Sequence, residues 1–327
     1  MSMQDDLFKV IVPPVSVKPS SKLSIVGAGE VGMACAVIIA QKSLADELVL
    51  VDRHADRLKG ESMDLMHGSL FMKCRIKADT DFKVTQDSKI CIICAGVRMK
   101  GQKPDANQLK DNVALYKEII PQLAKHSPSA ILLIVSQPVD PLTYAAWKLS
   151  GFPKNRVIGV GTNLDNARLR FLLSAELKIF PANIHTSIVG EQGYGSVPVW
   201  SGTNVAGIKL KDVAVHMSKN HGDAFHKKVI DSGQEVIRLK GCISWAMGLS
   251  VANIVNAIVK NLKAIQLVTT NAKNEHGIKT DVFLSLPCIL GATGVCGIIR
   301  QQLDEDEARQ LRCGVENLTK AQCEIGL

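Results

Sequence analysis

The sequence predicts an α/β fold in which a doubly wound parallel sheet is followed by a C-terminal α+β unit, and three observations predict it. Short β-rich runs without polar alternation recur through the first half and alternate with helix-length stretches, as parallel strands covered on both faces require. A G-x-G-x-x-G stands between the first such run and the first helical stretch, where a phosphate-binding turn belongs. From about Gly161 the alternation gives way to longer helical stretches and alternating strands.

The elements follow in order. Residues 1–20, with Pro13-Pro14 and Lys18-Pro19, have no periodicity and read as an arm. Residues 21–160 then carry the strands Leu23 to Val26, Leu48 to Val51, Ile90 to Cys94 and Ile131 to Val135. Between them lie the helical stretches Val31 to Gln41, Ala55 to His67 and Gln108 to Lys125. Residues 161–327 form the second unit: a helix with Asp165 and Arg168, strands around Ile184 to Val189 and a Gly-rich turn. Helical stretches over Asp212 to Leu239 and Ser244 to Leu262 follow, then further strands and a charged helix from Asp304.

Composition bounds the function. With 327 residues, 46% of them hydrophobic and 21% charged, the chain can bury one or two substantial cores. The net charge of +8 is scattered rather than clustered, and aromatic residues are only 4%, which argues against nucleic acid as a partner. No apolar run approaches the roughly 18 residues that span a bilayer, and the N-terminus carries Asp5 and Asp6 rather than a secretory pattern,. Nine dispersed cysteines read as reduced thiols of a cytosolic protein rather than a disulfide framework. Cys91 and Cys94 form a C-x-x-C inside an apolar strand; residues three apart on a strand face opposite ways, so these are expected to be core thiols rather than a redox pair or metal ligands.

The motif Gly27-Ala28-Gly29-Glu30-Val31-Gly32 is a Rossmann dinucleotide fingerprint,. Gly27 permits the tight turn, Gly29 lets the backbone approach a pyrophosphate, and Gly32 allows close packing of helix on strand. Asp52, twenty residues beyond Gly32 at the end of the second strand, is placed to accept hydrogen bonds from an adenosine ribose and to repel a 2′-phosphate. NAD is therefore the expected cofactor, although Arg53 softens the preference over NADP. Ala95, Gly96 and Arg98, after the next strand, complete the cofactor-binding candidates. The plainer reading of the glycines is a structural turn.

Several segments then resemble vertebrate-type L-lactate dehydrogenase of the lactate/malate dehydrogenase superfamily. They include Gly-Ala-Gly-Glu-Val-Gly-Met-Ala-Cys at 27–35, Gly-Phe-Pro-Lys-Asn-Arg-Val-Ile-Gly at 151–159 and Asn-Leu-Asp-Asn-Ala-Arg at 163–168. Ser-Val-Pro-Val-Trp-Ser-Gly at 196–202, Ser-Trp-Ala-Met-Gly-Leu-Ser-Val-Ala at 244–252 and Asp-Val-Phe-Leu-Ser-Leu-Pro-Cys-Ile-Leu-Gly at 281–291 extend it over nearly the whole chain. The resemblance implies a dinucleotide-binding domain, the family's C-terminal substrate domain, tetrameric assembly and an arm that reaches across subunits. It also implies a site in which a histidine held by an aspartate shuttles a proton. One arginine clamps the substrate carboxylate, and a second, on a loop, polarises the carbonyl.

Position by position, that site is mixed. Asp165 and Arg168 are retained as the orienting carboxylate and the carboxylate clamp. Gln192, in Gly190-Glu191-Gln192-Gly193-Tyr194, replaces the proton-shuttling histidine, and an amide has no proton to exchange near neutral pH. Asp105 stands where the polarising arginine should be, and Met99 where these dehydrogenases have a specificity glutamine. Gln137 replaces the asparagine of Ser-Asn-Pro, and Ile243 replaces a pocket threonine. Tyr194 serves as a substitute proton donor only with a charged neighbour to lower an ordinary pKa of about 10; its ring is expected to pack at the pocket mouth. His185 is expected at the far end of its strand, and His54 and His67 at the surface or as caps.

The Ser-Gln-Pro-Val and Gly-Glu-Gln-Gly segments are also similar to the dehydrogenase-like domain of ubiquitin E2 variant proteins, but the arm is too short for an E2-like domain. Two functions compete. One is a pseudoenzyme that binds NAD(H), takes a small carboxylate at Arg168 and works as a sensor, scaffold or partner in homotetramers or tetramers mixed with an active relative. The other is an active NAD-dependent oxidoreductase with an altered substrate or proton donor.

Overall fold

The computed structural model describes residues 21–97, 106–213 and 219–327. The arm 1–20 and the site candidates Arg98, Met99 and Asp105 lie outside these residues.

Six parallel strands build the first half: β1 (Lys22–Val26), β2 (Glu47–Val51), β3 (Arg75–Asp79), β4 (Ile90–Ile93), β5 (Ile131–Ile134) and β6 (Val157–Gly159). They stand in the order β3-β2-β1-β4-β5-β6. The chain reverses direction across the sheet between β1 and β4, which pair from Leu23↔Ile90 to Val26↔Ile93. A ligand crevice opens beyond the carboxyl ends of strands at such a switch point. The helices α1 (Glu30–Gln41), α2 (Ala55–His67), α3 (Ala106–His126) and α4 (Val139–Ser150) connect these strands.

Strands β2, β4 and β5 are buried along their whole length, so their continuous apolar sequences made them legible. Strand β3 was not foreseen. It lies at the sheet edge and reads Arg-Ile-Lys-Ala-Asp, with its polar positions exposed, a pattern that protects an edge from further pairing. Its Lys77 Nζ lies 2.9 Å from the carboxylate of the buried Glu47.

The second half continues the same sheet with opposite polarity. It contributes α5 (Asn163–Leu177), β7 (Ile184–His185), β8 (Ile188–Gly190), β9 (Ser196–Pro198), β10 (Asn204–Val205) and β11 (Ile208–Lys209). Then come α6 (Leu210–Val213), α7 (Lys219–Lys240), α8 (Trp245–Val259), β12 (Ala264–Asn271), β13 (Phe283–Gly291), β14 (Gly294–Ile298) and α9 (Glu305–Ile325). Strand β12 pairs antiparallel with β6 through Thr269↔Gly159, and β13, β8 and β9 extend the sheet beyond it. One hydrophobic core therefore runs from Leu23 through Ile134 to Leu286 and Leu318. A second, smaller cluster around Leu169, Ile188, Phe225 and Val229 ties α5 to α7.

The helix expected over Asp212 to Leu239 is represented by α6 and α7 rather than by one described element, and that expected to reach Leu262 ends at Val259. The C-terminal helix starts as its charges suggest. Asp304 Oδ1 accepts the Glu307 N–H and Glu307 Oε2 accepts the Asp304 N–H, which closes a capping box. Cys91 and Cys94 behave as core thiols: Cys91 is buried in β4, while the half-buried Cys94 beyond its end lies against the Cys35 thiol on α1.

Candidate active site

The glycine turn sits at the β1/β4 switch point. Gly27 has φ +96°, and a Cβ there would lie 2.5 Å from the backbone nitrogen of Ala95, so only glycine lets the two strand ends approach. A Cβ on Gly32 would meet the Gly27 carbonyl oxygen at 1.9 Å, which fits its assigned packing role. Gly29 differs from both. Its backbone is extended and a Cβ there would meet nothing within 4 Å among the described residues. No side chain caps α1 at this end, and uncapped N–H groups of a helix N-terminus suit a phosphate anion. The position of Gly29 is therefore open toward the start of α1.

Asp52 directly follows Val51, the last residue of β2, and it also holds the turn. Its Oδ2 accepts the Ala28 N–H at 2.8 Å and its Oδ1 accepts the His54 N–H at 2.9 Å. Across the crevice, Ser136 donates to the Ala95 carbonyl at 2.5 Å, so Ala95 and Gly96 border the same opening. Glu30 and Val31 lie in the first turn of α1, with Glu30 bordering a separate cleft beside Lys240, Cys242 and Trp245.

Asn112, fully buried on α3, links the two loops that meet here. Its Oδ1 accepts the Val97 N–H at 2.7 Å and its Nδ2 donates to the Gln137 carbonyl at 2.9 Å. Gln137 is half-buried in front of Pro138. Ile243, also half-buried, packs on the main core just before α8.

Gln192 occupies a turn gripped from two sides. Its N–H donates to Asp140 Oδ2 at 2.7 Å, and Asp140 Oδ1 accepts from the Thr269 hydroxyl at 2.5 Å. On the other side Ser196 donates to the Gly193 carbonyl at 2.6 Å and lies 2.8 Å from His226 Nε2 of α7. With the serine proton committed, the imidazole N–H is the donor in that pair. Burial holds His226 below its ordinary pKa, against the pull of Asp223. Among the described residues the Gln192 side chain has no hydrogen-bond partner. Tyr194 is 58% exposed rather than packed, and its hydroxyl accepts from Gln234 Nε2 at 2.9 Å.

Asp165 and Arg168 lie one turn apart on α5. Thr162 anchors the start of this helix, its hydroxyl donating to the Ile188 carbonyl at 2.5 Å and its N–H to Ser285 Oγ at 3.0 Å. Arg168 Nη1 donates to Asp165 Oδ1 at 2.6 Å. Burial pushes the Asp165 carboxyl up, and Arg168 opposes that rise. The resemblance implies that Asp165 orients the residue at 192; in this structure its hydrogen bond goes to Arg168 instead.

Asp140 was missed in the sequence, where an aspartate in the first turn of a helix reads as a cap. Burial raises its carboxyl from 3.8 to about 7, with Glu191 and Asp165 adding repulsion and the Thr269 and Gln192 bonds opposing it. Such a carboxyl keeps its proton longer in the folded chain, so stability falls as pH rises from about 4 to about 7. The upper bound on that loss is about 4 kcal/mol. Urea midpoints at pH 5 and pH 8 are expected to fall less for Asp140→Asn than for the unmodified chain; an equal fall in both would contradict the assignment.

Residues 21–159 match the family model described as lactate/malate dehydrogenase, NAD binding domain, and residues 162–325 match lactate/malate dehydrogenase, alpha/beta C-terminal domain. The chain is 47% identical to the L-lactate dehydrogenase B chain of Sceloporus undulatus over 329 residues, 99% of this chain and 98% of that protein. It is 50% identical to L-lactate dehydrogenase of Petromyzon marinus over 312 residues, 94% and 93% of the two chains. With the L-lactate dehydrogenase A chain of Gallus gallus it shares 48% over 330 residues, 99% of each.

Proposed function

The chain belongs to the lactate/malate dehydrogenase family and takes NAD as its cofactor, and from that premise we propose that it binds NAD(H) yet is strongly impaired in lactate/pyruvate hydride transfer. The observation that carries this reading is Gln192, whose backbone is fixed on Asp140 while its side-chain amide has no acid or base form near neutral pH,. When bound, NAD supplies or accepts the hydride. Gly29 leaves room for its pyrophosphate, Gly27 lets the turn close against Ala95, the start of α1 offers N–H groups, and Asp52 stands at the end of β2 for the ribose. Arg168 is the anchor for a small carboxylate, and the missing step is delivery of a proton to the carbonyl oxygen. Losing a positioned acid–base group costs about 10²–10⁴ in rate. Losing a polarising donor costs about 10²–10³, and Asp105 reverses the sign of charge at that position.

Titration of NADH fluorescence together with pyruvate reduction at 340 nm tests the proposal. Saturable NADH binding without turnover is the expected result. Turnover above about 1 s⁻¹, an ordinary enzymatic rate, would favour the second reading, an active oxidoreductase with an altered substrate. The names and identities of the relatives favour that alternative, and Asp105 would then select a substrate neutral or cationic beside its carbonyl.

The role proposed is that of a sensor, scaffold or oligomer partner in the cytosol, as a homotetramer or mixed with an active relative. No described helix is long and apolar enough to cross a membrane. The exposed side chains Met63, Met66, Leu70 and Phe71, the last two 86% and 83% exposed, support assembly, because solvent-facing apolar clusters of this kind mark contact surfaces. Light scattering is expected to give a tetramer mass for the unmodified chain and a smaller one for Phe71→Glu. An unmodified chain that elutes as a monomer would contradict this.

A further inference from the structure

Arg168 is already engaged. Its Nη1 bonds Asp165 Oδ1 at 2.6 Å, with the two side chains 18% and 10% exposed, so little water screens the pair and the charge-assisted bond keeps most of its strength. Asp165 has no other hydrogen-bond partner among the described residues. A histidine that would draw it away is absent: position 192 is glutamine, bonded among the described residues only through its N–H to Asp140.

Helix α7 closes the other side of the guanidinium. A Cβ on Gly233 would stand 3.1 Å from Arg168 Nη1, 3.3 Å from Cζ and 3.4 Å from Nη2. The guanidinium therefore lies close against bare backbone and has no room to swing toward α7 and leave Asp165. The charges of the pair sum to zero. An arriving carboxylate meets an arginine with one nitrogen committed and a fixed negative charge one helical turn away.

We infer that Asp165 is an internal competitor for the anion clamp: in this chain it occupies Arg168 as a substrate carboxylate would, and thereby weakens the binding of small monocarboxylates. The inference rests on reading Arg168 as the ligand anchor beside bound NADH, and it adds a specificity role for Asp165. The substitution at 192 then removes a proton donor and also releases a carboxylate that turns on the clamp. Ligands without net negative charge at this end, such as a primary amide, lose less to Asp165 than a carboxylate does.

Oxamate titrated into the NADH-loaded full chain, read by quenching of NADH fluorescence, tests this. Asp165→Asn and Asp165→Ser are each expected to bind oxamate at least about tenfold more tightly than the unmodified chain, with NADH affinity unchanged. Adding Arg168→Gln to Asp165→Asn is expected to abolish the gain, which a merely structural role for Asp165 would not produce. Unchanged or weaker oxamate binding in variants that still bind NADH normally overturns the inference and leaves the cofactor reading standing. Failure of the unmodified chain to bind NADH overturns both.

Discussion

Pyruvate reduction is expected to stay at background in Gln192→His and to rise by about 10³ over the unmodified chain when Asp105→Arg is added. The imidazole restores a group that can deliver a proton near neutral pH. The turn that carries it is already held by Asp140 and by the Ser196–His226 pair, so a side chain at 192 starts from a fixed backbone. A proton donor alone is insufficient, because hydride attack builds negative charge on the carbonyl oxygen and Asp105 brings a like charge to a position where the resemblance implies a cation,. Since both groups act on one transition state, their effects do not multiply, and the double variant is expected to gain more than the two single gains together. Full recovery in Gln192→His alone would show that the loop position matters less than its charge suggests.

Gly29→Val is expected to weaken NADH binding by about 100-fold while leaving the fold and its urea midpoint unchanged. The extended backbone at Gly29 accepts any residue, and a Cβ there meets none of the described residues beyond its chain neighbours within 4 Å. An isopropyl group would instead fill the space kept for the pyrophosphate, and overfilling a close-packed site costs about 1–3 kcal/mol. Gly27→Val gives the contrasting outcome, since its Cβ would collide with the Ala95 backbone at 2.5 Å and the sheet ends would part. Equal NADH affinity in Gly29→Val and the unmodified chain would show that the cofactor does not use this cradle.

What the sequence revealed, and what it hid, follows from how local each feature is. Buried strands such as Ile90–Ile93 and Ile131–Ile134 announce themselves by continuous apolar residues, and the glycine fingerprint carries its own geometry. Strand Arg75–Asp79 has no such run, because an edge strand meets water and charge. The frame behind Gln192 was hidden for a different reason. Asp140 and Thr162 lie more than 100 residues before Thr269 and Ser285, and the two pairs converge only when the antiparallel strands dock on the parallel sheet. The Asp165–Arg168 bond is local, at a spacing where helical charges commonly pair. It was obscured by the separate duties that the family resemblance assigns to the two residues.

The most direct test is a single turnover: the purified chain saturated with NADH is mixed with excess pyruvate, and loss of the bound cofactor's 340 nm absorbance is followed. Bound NADH that persists, with oxidation far slower than about 1 s⁻¹, is the predicted result. Oxidation of the whole bound population within a second would contradict the claim that this chain keeps its cofactor cleft without a working proton relay.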